Sequence, residues 1–270
     1  MAAVAAETAP SRTAPGWPVV LEQELRNLWL GGRGAALCFG FSLLLSVIGY
    51  LTATNTALNF LEQRESVSLT LQVAIAVGAL LTLLAGADAV SGERERGSLE
   101  ILLLTPVSRR QVVIGKLLAA VSLWLAAFAI SVPYVWFLGR GIDVVGNALA
   151  VGLVVGTLLA VFLASVGLVV SLFTASNRVS LAVSLLLLLA FFAPSQLPAP
   201  AQKGWFGELL LRVDPVTAGE EYVGKILVNG HPWSEDVYLL ASPIAAAAVF
   251  AAAALVLGER FMRLRGGVST

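Results

Sequence analysis

The sequence predicts an all-α, polytopic membrane protein with six transmembrane helices. Composition is the first reason: 58% of the 270 residues are hydrophobic, 13% are charged, and the mean hydropathy is +0.86. Soluble domains carry about 25% charged residues. The other two reasons are the long stretches that contain no charge and the uneven distribution of Lys and Arg between the segments that join them.

The charges divide the chain into candidate spans, because an ionised group near the bilayer centre costs about 2.5–3.5 kcal/mol. A spanning helix needs roughly 20 predominantly apolar residues. The uncharged stretches that reach this length are 34–61, 66–87, 117–139, 144–177, 179–202 and 237–258. Only Arg178, beside Ser176 and Asn177, separates spans four and five, which predicts a tight turn between antiparallel helices.

An even number of spans places both termini on one side of the membrane. If the amino terminus is cytoplasmic, the inside segments hold Arg12, Arg26, Arg33, Arg94, Arg96, Arg109, Arg110, Lys116, Arg178, Arg260, Arg263 and Arg265. The outside segments then hold Arg64, Arg140, Lys203, Arg212 and Lys225. This bias follows the positive-inside rule, so we expect both termini in the cytoplasm.

The amino-terminal region divides into two parts. Residues 1–18 are rich in Ala, Pro and small polar residues, which predicts a disordered cytoplasmic tail before a single membrane domain over 19–270. Leu21, Leu25 and Leu28 then recur at helical spacing opposite Glu22 and Arg26, which predicts an amphipathic helix in the membrane interface. The alternative is that these residues form the first turns of span one.

Span four carries a small residue at every fourth position. Small residues at this spacing let another helix approach closely, either inside one subunit or between subunits. The stripe consists of Ala148, Gly152, Gly156, Ala160 and Ala164. Pro133 in span three and Pro243 in span six should kink or break their helices, and Ser242-Pro243 resembles a helix start.

A charged segment, Gly92–Lys116, separates spans two and three. Its alternating acids and bases end at Gly97, and Ser98 is a good cap for a short helix that Thr105-Pro106 would end. Ser108 and Gln111 have the spacing of a capping box before the next apolar run.

The short helix predicted at Ser98–Leu104 is unusual because Glu100 is its only charge. Its other side chains are apolar around the whole cylinder, namely Leu99, Ile101, Leu102, Leu103 and Leu104. Exposed apolar surface of this kind is typical of a partner site. The alternative is a plain cytoplasmic loop folded on its own spans.

These residues resemble the coupling segment of type-2 ABC exporter permeases, E-R-E-x-G-T-L-E-x-L-L-x-x-P-V-S-R followed by a Lys. The match covers Glu93, Arg94, Glu95, Gly97, Leu99, Glu100, Leu102, Leu103, Pro106, Val107, Ser108, Arg109 and Lys116, with Ser98 in place of the commoner Thr. The resemblance implies that the ATPase-coupling residues are Glu93, Glu95, Gly97, Ser98, Leu99, Glu100, Leu102, Leu103, Pro106, Ser108 and Arg109. From the small-residue stripe of span four, we expect Gly152, Gly156 and Ala160 to be helix-packing residues.

The resemblance also implies partners and a location. A separate ABC ATPase would bind ATP and Mg²⁺, and a second permease subunit would complete a homodimer or a heterodimer in the plasma (inner) membrane of a prokaryote. This chain has no G-x-x-x-x-G-K-[ST] phosphate loop, so it is expected to be a transporter subunit that binds no cofactor itself. Residues 194–236 would form an outer loop with short segments that dip into the membrane, or else an ordinary surface loop, with Glu220 and Glu221 solvated.

Other functions are less well supported by the sequence. The formal net charge of zero does not suggest nucleic acid as a partner, Cys38 is the only cysteine, and no metal-binding motif occurs. A secondary transporter or channel should carry ionisable residues inside its spans, and Asp88 is the nearest candidate. A non-transporting ABC membrane protein that moves an outer partner is a further alternative. The cargo stays open among lipid-like molecules, drugs, polysaccharide, haem and metal-maturation factors.

Overall fold

A computed structural model describes residues 16–53, 60–99, 104, 107–196, 205 and 212–261, and these contain helices without strands. The α-helices are α1 (Trp17–Trp29), α2 (Arg33–Ala53), α3 (Phe60–Asp88), α4 (Ser91–Arg96), α5 (Arg109–Leu138), α6 (Val145–Phe173), α7 (Asn177–Phe192), α8 (Pro215–Leu227) and α9 (Ala241–Phe261). Short 3₁₀ helices cover Pro194–Gln196 and Val237–Leu240. The all-α prediction is confirmed for these residues.

Among the described residues, five helical stretches are long and apolar enough to cross a membrane. They are Arg33–Leu51, Gln63–Arg96, Arg109–Leu138, Val145–Phe173 and Val237–Phe261, and they correspond to predicted spans one, two, three, four and six. The fifth predicted span corresponds to α7, which has 16 residues. At 1.5 Å per residue α7 is about 24 Å long, shorter than the roughly 30 Å hydrocarbon core. The count of six spans therefore stays a prediction.

One predicted boundary moves, at the amino-terminal end. Trp17 and Pro18, assigned to the disordered tail, lie in the first turn of α1, where a proline is tolerated because the first amides have no partner within the helix. Helix α5 begins at Arg109, directly after the predicted cap at Ser108, and it buries the Lys116 side chain inside the bundle. Residues 1–15, which make up most of the predicted tail, lie outside the described residues.

Helices α3 and α6 form the centre of the bundle and touch along their backbones. A Cβ atom at Gly86 of α3 would lie 2.3 Å from the Ala164 carbonyl oxygen, and one at Gly167 of α6 would lie 2.3 Å from the Leu83 carbonyl oxygen. The Thr82 hydroxyl donates to the Ala160 carbonyl across the same contact at 3.2 Å. Around this pair, α5 and α7 pack on both helices and α9 packs on α6.

The small-residue stripe of α6 packs inside the chain. The fully buried Trp124 ring of α5 lies over Gly156, and its indole nitrogen donates to the Thr157 hydroxyl at 3.1 Å. Leu71 of α3 fills the space beside Gly152. The other members, Ala148, Ala160 and Ala164, are completely buried. In the described bundle these small residues therefore accommodate α3 and α5.

The two prolines have different effects. Helix α5 continues through Pro133 to Leu138, so this proline does not break the helix. Pro243 lies in the first turn of α9, which begins at Ala241 after the 3₁₀ helix Val237–Leu240. A proline in the first turn leaves no hydrogen bond unmade, so the predicted helix start near Ser242-Pro243 is confirmed.

The segment predicted as an outer loop contains a buried helix, α8. Val216, Tyr222, Val223 and Leu227 of α8 are almost fully buried in the main hydrophobic core, where α8 packs against α3, α6, α7 and α9. The carboxylate of Asp214 caps this helix by accepting from the Thr217 amide at 2.7 Å. The apolar groups at 205–206 and 209–211 lie outside the described residues, apart from Trp205.

The prediction that Glu220 is solvated is wrong. This residue is only partly exposed, and burial, followed by the nearby Asp214 charge, raises the pKa of the Glu220 carboxyl to about 7. Glu221 is exposed and pairs with Lys225 at 3.1 Å. The two carboxyls differ because consecutive residues of a helix point about 100° apart, so only Glu220 faces the bundle.

Ion pairs tie α8 to the chain that follows it. The Asp236 carboxylate accepts from Lys225 Nζ at 3.0 Å and contacts His231 Nδ1 at 2.8 Å. These two hydrogen bonds lower the pKa of Asp236. The Tyr222 hydroxyl donates to the Trp233 carbonyl at 3.1 Å. The entrance to α9 is thus held against α8.

Gly156→Leu should destabilise the bundle. A Cβ atom at Gly156 would lie 2.0 Å from the Trp124 ring, and overpacking a core typically costs about 1–3 kcal/mol or more. We expect a lower unfolding temperature and a lower yield of monodisperse protein in detergent. Gly146→Leu is the matched control, because no atom lies within 4 Å of a Cβ placed there. Equal stability of the two variants would contradict the packing role of Gly156.

Candidate functional site

The charged segment begins with a break between α3 and α4. Helix α3 ends at Asp88, the chain turns, and α4 starts at Ser91. The hydroxyl oxygen of Ser171 in α6 accepts from the backbone amides of Val90 at 3.0 Å and Ser91 at 2.7 Å. Gly97 then ends α4 with φ of 72°, a left-handed conformation that glycine adopts without a steric penalty. The turn is therefore held by the central helix α6.

The four charged side chains of α4 contact four different helices. The Glu93 carboxylate lies 2.6 Å from the Lys116 ammonium of α5. The Glu95 carboxylate accepts from the backbone N–H of Asn177, at the start of α7, at 2.9 Å. Arg94 donates to the Thr174 carbonyl just after α6, and Arg96 lies 3.5 Å from Asp88 at the end of α3. The Glu95 contact also places an anion at a helix amino terminus, where the helix dipole favours it.

A buried ion triad joins α1, α4 and α5. The Lys116 ammonium lies 2.5 Å from Glu24 of α1 and 2.6 Å from Glu93 of α4, and its side chain is only 1% exposed. A lysine this deeply buried needs such partners, because an unpaired charge in a low-dielectric interior is strongly unfavourable. The triad therefore fixes the position of α4 relative to α1 and α5.

Asp88, the candidate for an ionisable group inside a span, is a helix-end residue with cationic partners. Its Oδ2 atom lies 2.9 Å from Arg33 of α2 and 3.5 Å from Arg96 of α4. A carboxylate at a helix carboxyl terminus meets the negative end of the helix dipole. The two guanidinium groups offset that repulsion and connect α2 to α3 and α4.

The start of α5 is held by a cap and by α9. The predicted capping box is confirmed. The Ser108 hydroxyl accepts from the backbone N–H of Gln111, and the side-chain oxygen of Gln111 accepts from the backbone N–H of Ser108. Arg109 donates to the Glu259 carbonyl at 3.1 Å, and Arg110 forms an ion pair with the Glu259 carboxylate. The end of α9 therefore lies beside the beginning of α5.

These contacts bring six helix ends together around α4. The amino termini of α2, α5 and α7 and the carboxyl termini of α3, α6 and α9 meet at one end of the bundle. Helices that alternate in direction in this way place every second connection at the same end. We call this end, with α4 and the triad, the coupling end.

The sequence-predicted site residues fall into three groups. Glu93, Glu95, Ser108 and Arg109 contact their own chain and Gly97 ends α4, as described above. Ser98 is exposed, and Leu99 is 7% exposed because it packs with Val20 and Val112. Glu100, Leu102, Leu103 and Pro106 lie outside the described residues, whereas Leu104 between them is 75% exposed.

Sequence reasoning missed three residues that build this site: Glu24, Ser171 and Asn177. A signal existed for Glu24, which lies at the edge of the apolar face of α1, three residues after Leu21 and four before Leu28. A carboxylate at such an edge can pair with a buried cation. Ser171 and Asn177 carry no comparable sequence signal, because they act only through their position beside α4.

Lys116→Met should strongly destabilise the chain. The substitution leaves Glu24 and Glu93 close together without a cation, and removing one partner of a buried ion pair typically costs about 3–5 kcal/mol. Thermal unfolding in detergent would measure the loss. Adding Glu24→Gln and Glu93→Gln should recover part of the stability. Glu22→Gln, which breaks only the exposed pair with Arg26, should have little effect. An unchanged unfolding temperature for Lys116→Met would show that the triad contributes nothing.

Comparison with known proteins identifies the family. The family model described as ABC-2 family transporter protein matches residues 21–260. This range begins in α1 and ends in the last turn of α9, so it includes α4, the ion triad and nearly the whole of every candidate span. A search of curated proteins gives no match. Because the family model covers most of the chain, the chain belongs to the ABC-2 transporter family and is a membrane subunit of an ABC transporter.

Proposed function

We propose that the chain is the permease subunit of an ATP-driven exporter, and that α4 passes motion from a separate ABC ATPase to the transmembrane helices. The observation that carries the proposal is the placement of α4, whose four charged side chains contact the ends of four helices. A force applied to the chain just after α4 reaches α3, α5, α6 and α7 together. Family membership supports the ABC transporter setting.

The segment that follows α4 is the proposed contact with the ATPase. It leaves α4 at Gly97 and returns to the bundle at Ser108, so both of its ends lie at the coupling end. Leu104 is 75% exposed, whereas Leu99 is covered by its own chain. We assign Leu99 to holding the segment on the bundle. Leu104, with Leu102 and Leu103, is assigned to the partner.

ATP and Mg²⁺ belong to that partner in this proposal. Two permease subunits, identical or different, would pair with two ATPase subunits across a prokaryotic plasma membrane. The coupling end would face the cytoplasm, as the positive-inside bias predicts. Asp88 is paired with Arg33 and Arg96, so its position is explained without a coupling ion, and this favours the ABC mechanism over a secondary transporter.

Helix α7 is proposed to complete a six-span topology. The 3₁₀ helix Pro194–Gln196 extends α7, and both elements contact α8. Helix α8 packs on the half of the bundle away from the coupling end, where Gly219 faces Val155 and the Glu220 carbonyl accepts from Gln72. A helix that starts beside Glu95 and reaches α8 therefore crosses much of the bundle. Helix α8 would then dip into the outer leaflet.

Leu102→Glu should abolish ATPase binding. Placing an unpaired charge in an apolar contact typically costs about 2–5 kcal/mol, so we expect loss of the cognate ATPase in a pull-down at matched expression. Membrane insertion should be normal because the change lies outside the candidate spans. Glu100→Gln should have a milder effect. Val213→Glu, which adds the same charge at an exposed apolar site near α8, is the control. Retention of the ATPase and of coupled hydrolysis by Leu102→Glu would overturn the proposed coupling role.

Cysteine labelling tests the topology, with Cys38→Ala as background. Ser234→Cys and Asp143→Cys should react with an impermeant maleimide in sealed cells, whereas Ser98→Cys and Ala175→Cys should react only after the membrane is opened. All four positions are described and exposed, and Ala175 stands in the turn between α6 and α7. Protection of Ser234→Cys together with labelling of Asp143→Cys would show that α7 does not cross.

A further inference from the structure

A cavity of about 640 Å³ opens beside α4 at the coupling end. Residues of α1, α2, α3, α4, α5 and α7 line it, so it lies within one chain. Ligand sites in proteins typically measure about 300–1,000 Å³, so this cavity has room for an organic molecule. The coupling role proposed above makes no use of it.

The wall of the cavity is apolar along most of its length. Its apolar lining includes Leu28, Leu37, Leu84, Ala120, Leu123 and Leu181. Leu28 belongs to α1. The other residues come from the turns of α2, α3 and α5 that lie inside the candidate spans and from the short apolar helix α7. The cavity therefore continues from the charged coupling end into the region that lipid chains would surround. An amphiphile fits such a shape better than a wholly polar molecule.

Two ion clusters with opposite net charge line the polar part of the cavity. Glu24, Glu93 and Lys116 form one cluster with two acids and one base. Arg33, Arg96 and Asp88 form the other, with two bases and one acid. When all of these groups are ionised, the first cluster has one negative charge in excess and the second has one positive charge in excess.

The acidic cluster also has a free acceptor. Glu93 Oε1 binds Lys116, whereas Oε2 is buried and has no hydrogen-bond partner among the described residues. A buried carboxylate oxygen is unfavourable until a donor reaches it. In the basic cluster, Asp88 Oδ1 is likewise buried without a hydrogen-bond partner among the described residues. The Arg33 and Arg96 side chains are 61% and 47% exposed, which leaves their remaining N–H groups open to an anion.

We propose that this cavity binds an amphiphile whose head group joins a protonated primary amine to a phosphate. The ammonium would donate to Glu93 Oε2, the phosphate would lie against Arg33 and Arg96, and an acyl chain would follow the apolar wall. A phosphoethanolamine head group has this chemistry. The proposed binding site rests on the cavity and its ion clusters and does not depend on the export function. Its use for cargo does rest on the proposed export function.

The test is photolabelling of the full chain in nanodiscs of phosphatidylglycerol, which contain no amine. The probe is lysophosphatidylethanolamine with a diazirine in its acyl chain, and peptide mass spectrometry locates the crosslinks. We expect them on the peptides that carry Leu37 and Ala120–Leu123. Unlabelled lysophosphatidylethanolamine should compete at least tenfold better than lysophosphatidylcholine, whose quaternary ammonium has no N–H to donate.

Variants separate the charged from the apolar contribution. Glu93→Gln should reduce crosslinking at least fivefold. Because Glu93 also belongs to the triad, Ala36→Trp provides a second variant: it fills the cavity from an exposed position of α2 and should reduce crosslinking to a similar degree. Glu22→Gln, on the exposed face of α1, should leave it unchanged.

Three results would overturn the proposal. They are equal competition by lysophosphatidylcholine, equal competition by dodecylamine, which lacks the phosphate, and unchanged crosslinking in Ala36→Trp. The assay contains no ATPase, so its failure would leave the proposed coupling function intact. Loss of coupling in Leu102→Glu, in turn, would not predict loss of crosslinking.

Discussion

The buried Lys116 ammonium is the interaction on which the coupling end depends. A lysine side chain that is 1% exposed has to find anionic partners within the protein, and here they come from two elements outside its own helix. Glu93 reaches it from α4, after the break in the helix between Asp88 and Ser91. Glu24 can reach it only if α1 lies against α5. One desolvated charge therefore determines the position of both flanking elements.

The turn that brings Glu93 to Lys116 needs support of its own. Breaking a helix between Asp88 and Ser91 frees backbone amides, and inside a bundle such groups require acceptors. Ser171 supplies one oxygen to two of them. Ser171 can do so because α3 and α6 are in backbone contact at Gly86 and Gly167. The close packing of the bundle centre and the geometry of its coupling end are thus connected.

The opposite end of the bundle shows a different constraint. Helix α7 is too short to cross a bilayer by itself, and the neighbouring space is filled by α8, whose apolar side chains belong to the main core. Burial of α8 also explains why Glu220 differs from Glu221, since only one of two adjacent carboxyls faces the bundle. The shortness of α7 and the burial of α8 beside it are therefore connected features of the packing.

The sequence by itself determined the helical class, five of the six predicted spans as long apolar helices, and the capping box at Ser108, because these follow from hydrophobic length, charge spacing and local hydrogen bonding. It also identified the charged segment as the distinctive part of the chain. It could not assign partners to the charges. Whether Glu93 meets solvent, an ATPase or Lys116 depends on residues far away in the chain, as does the role of Ser171 beside Val90. Only the tertiary structure decides such pairings, because they arise where helices cross and not from the periodicity of any one helix. The same reason explains why the buried position of α8 and the cavity beside α4 had no signature in the sequence.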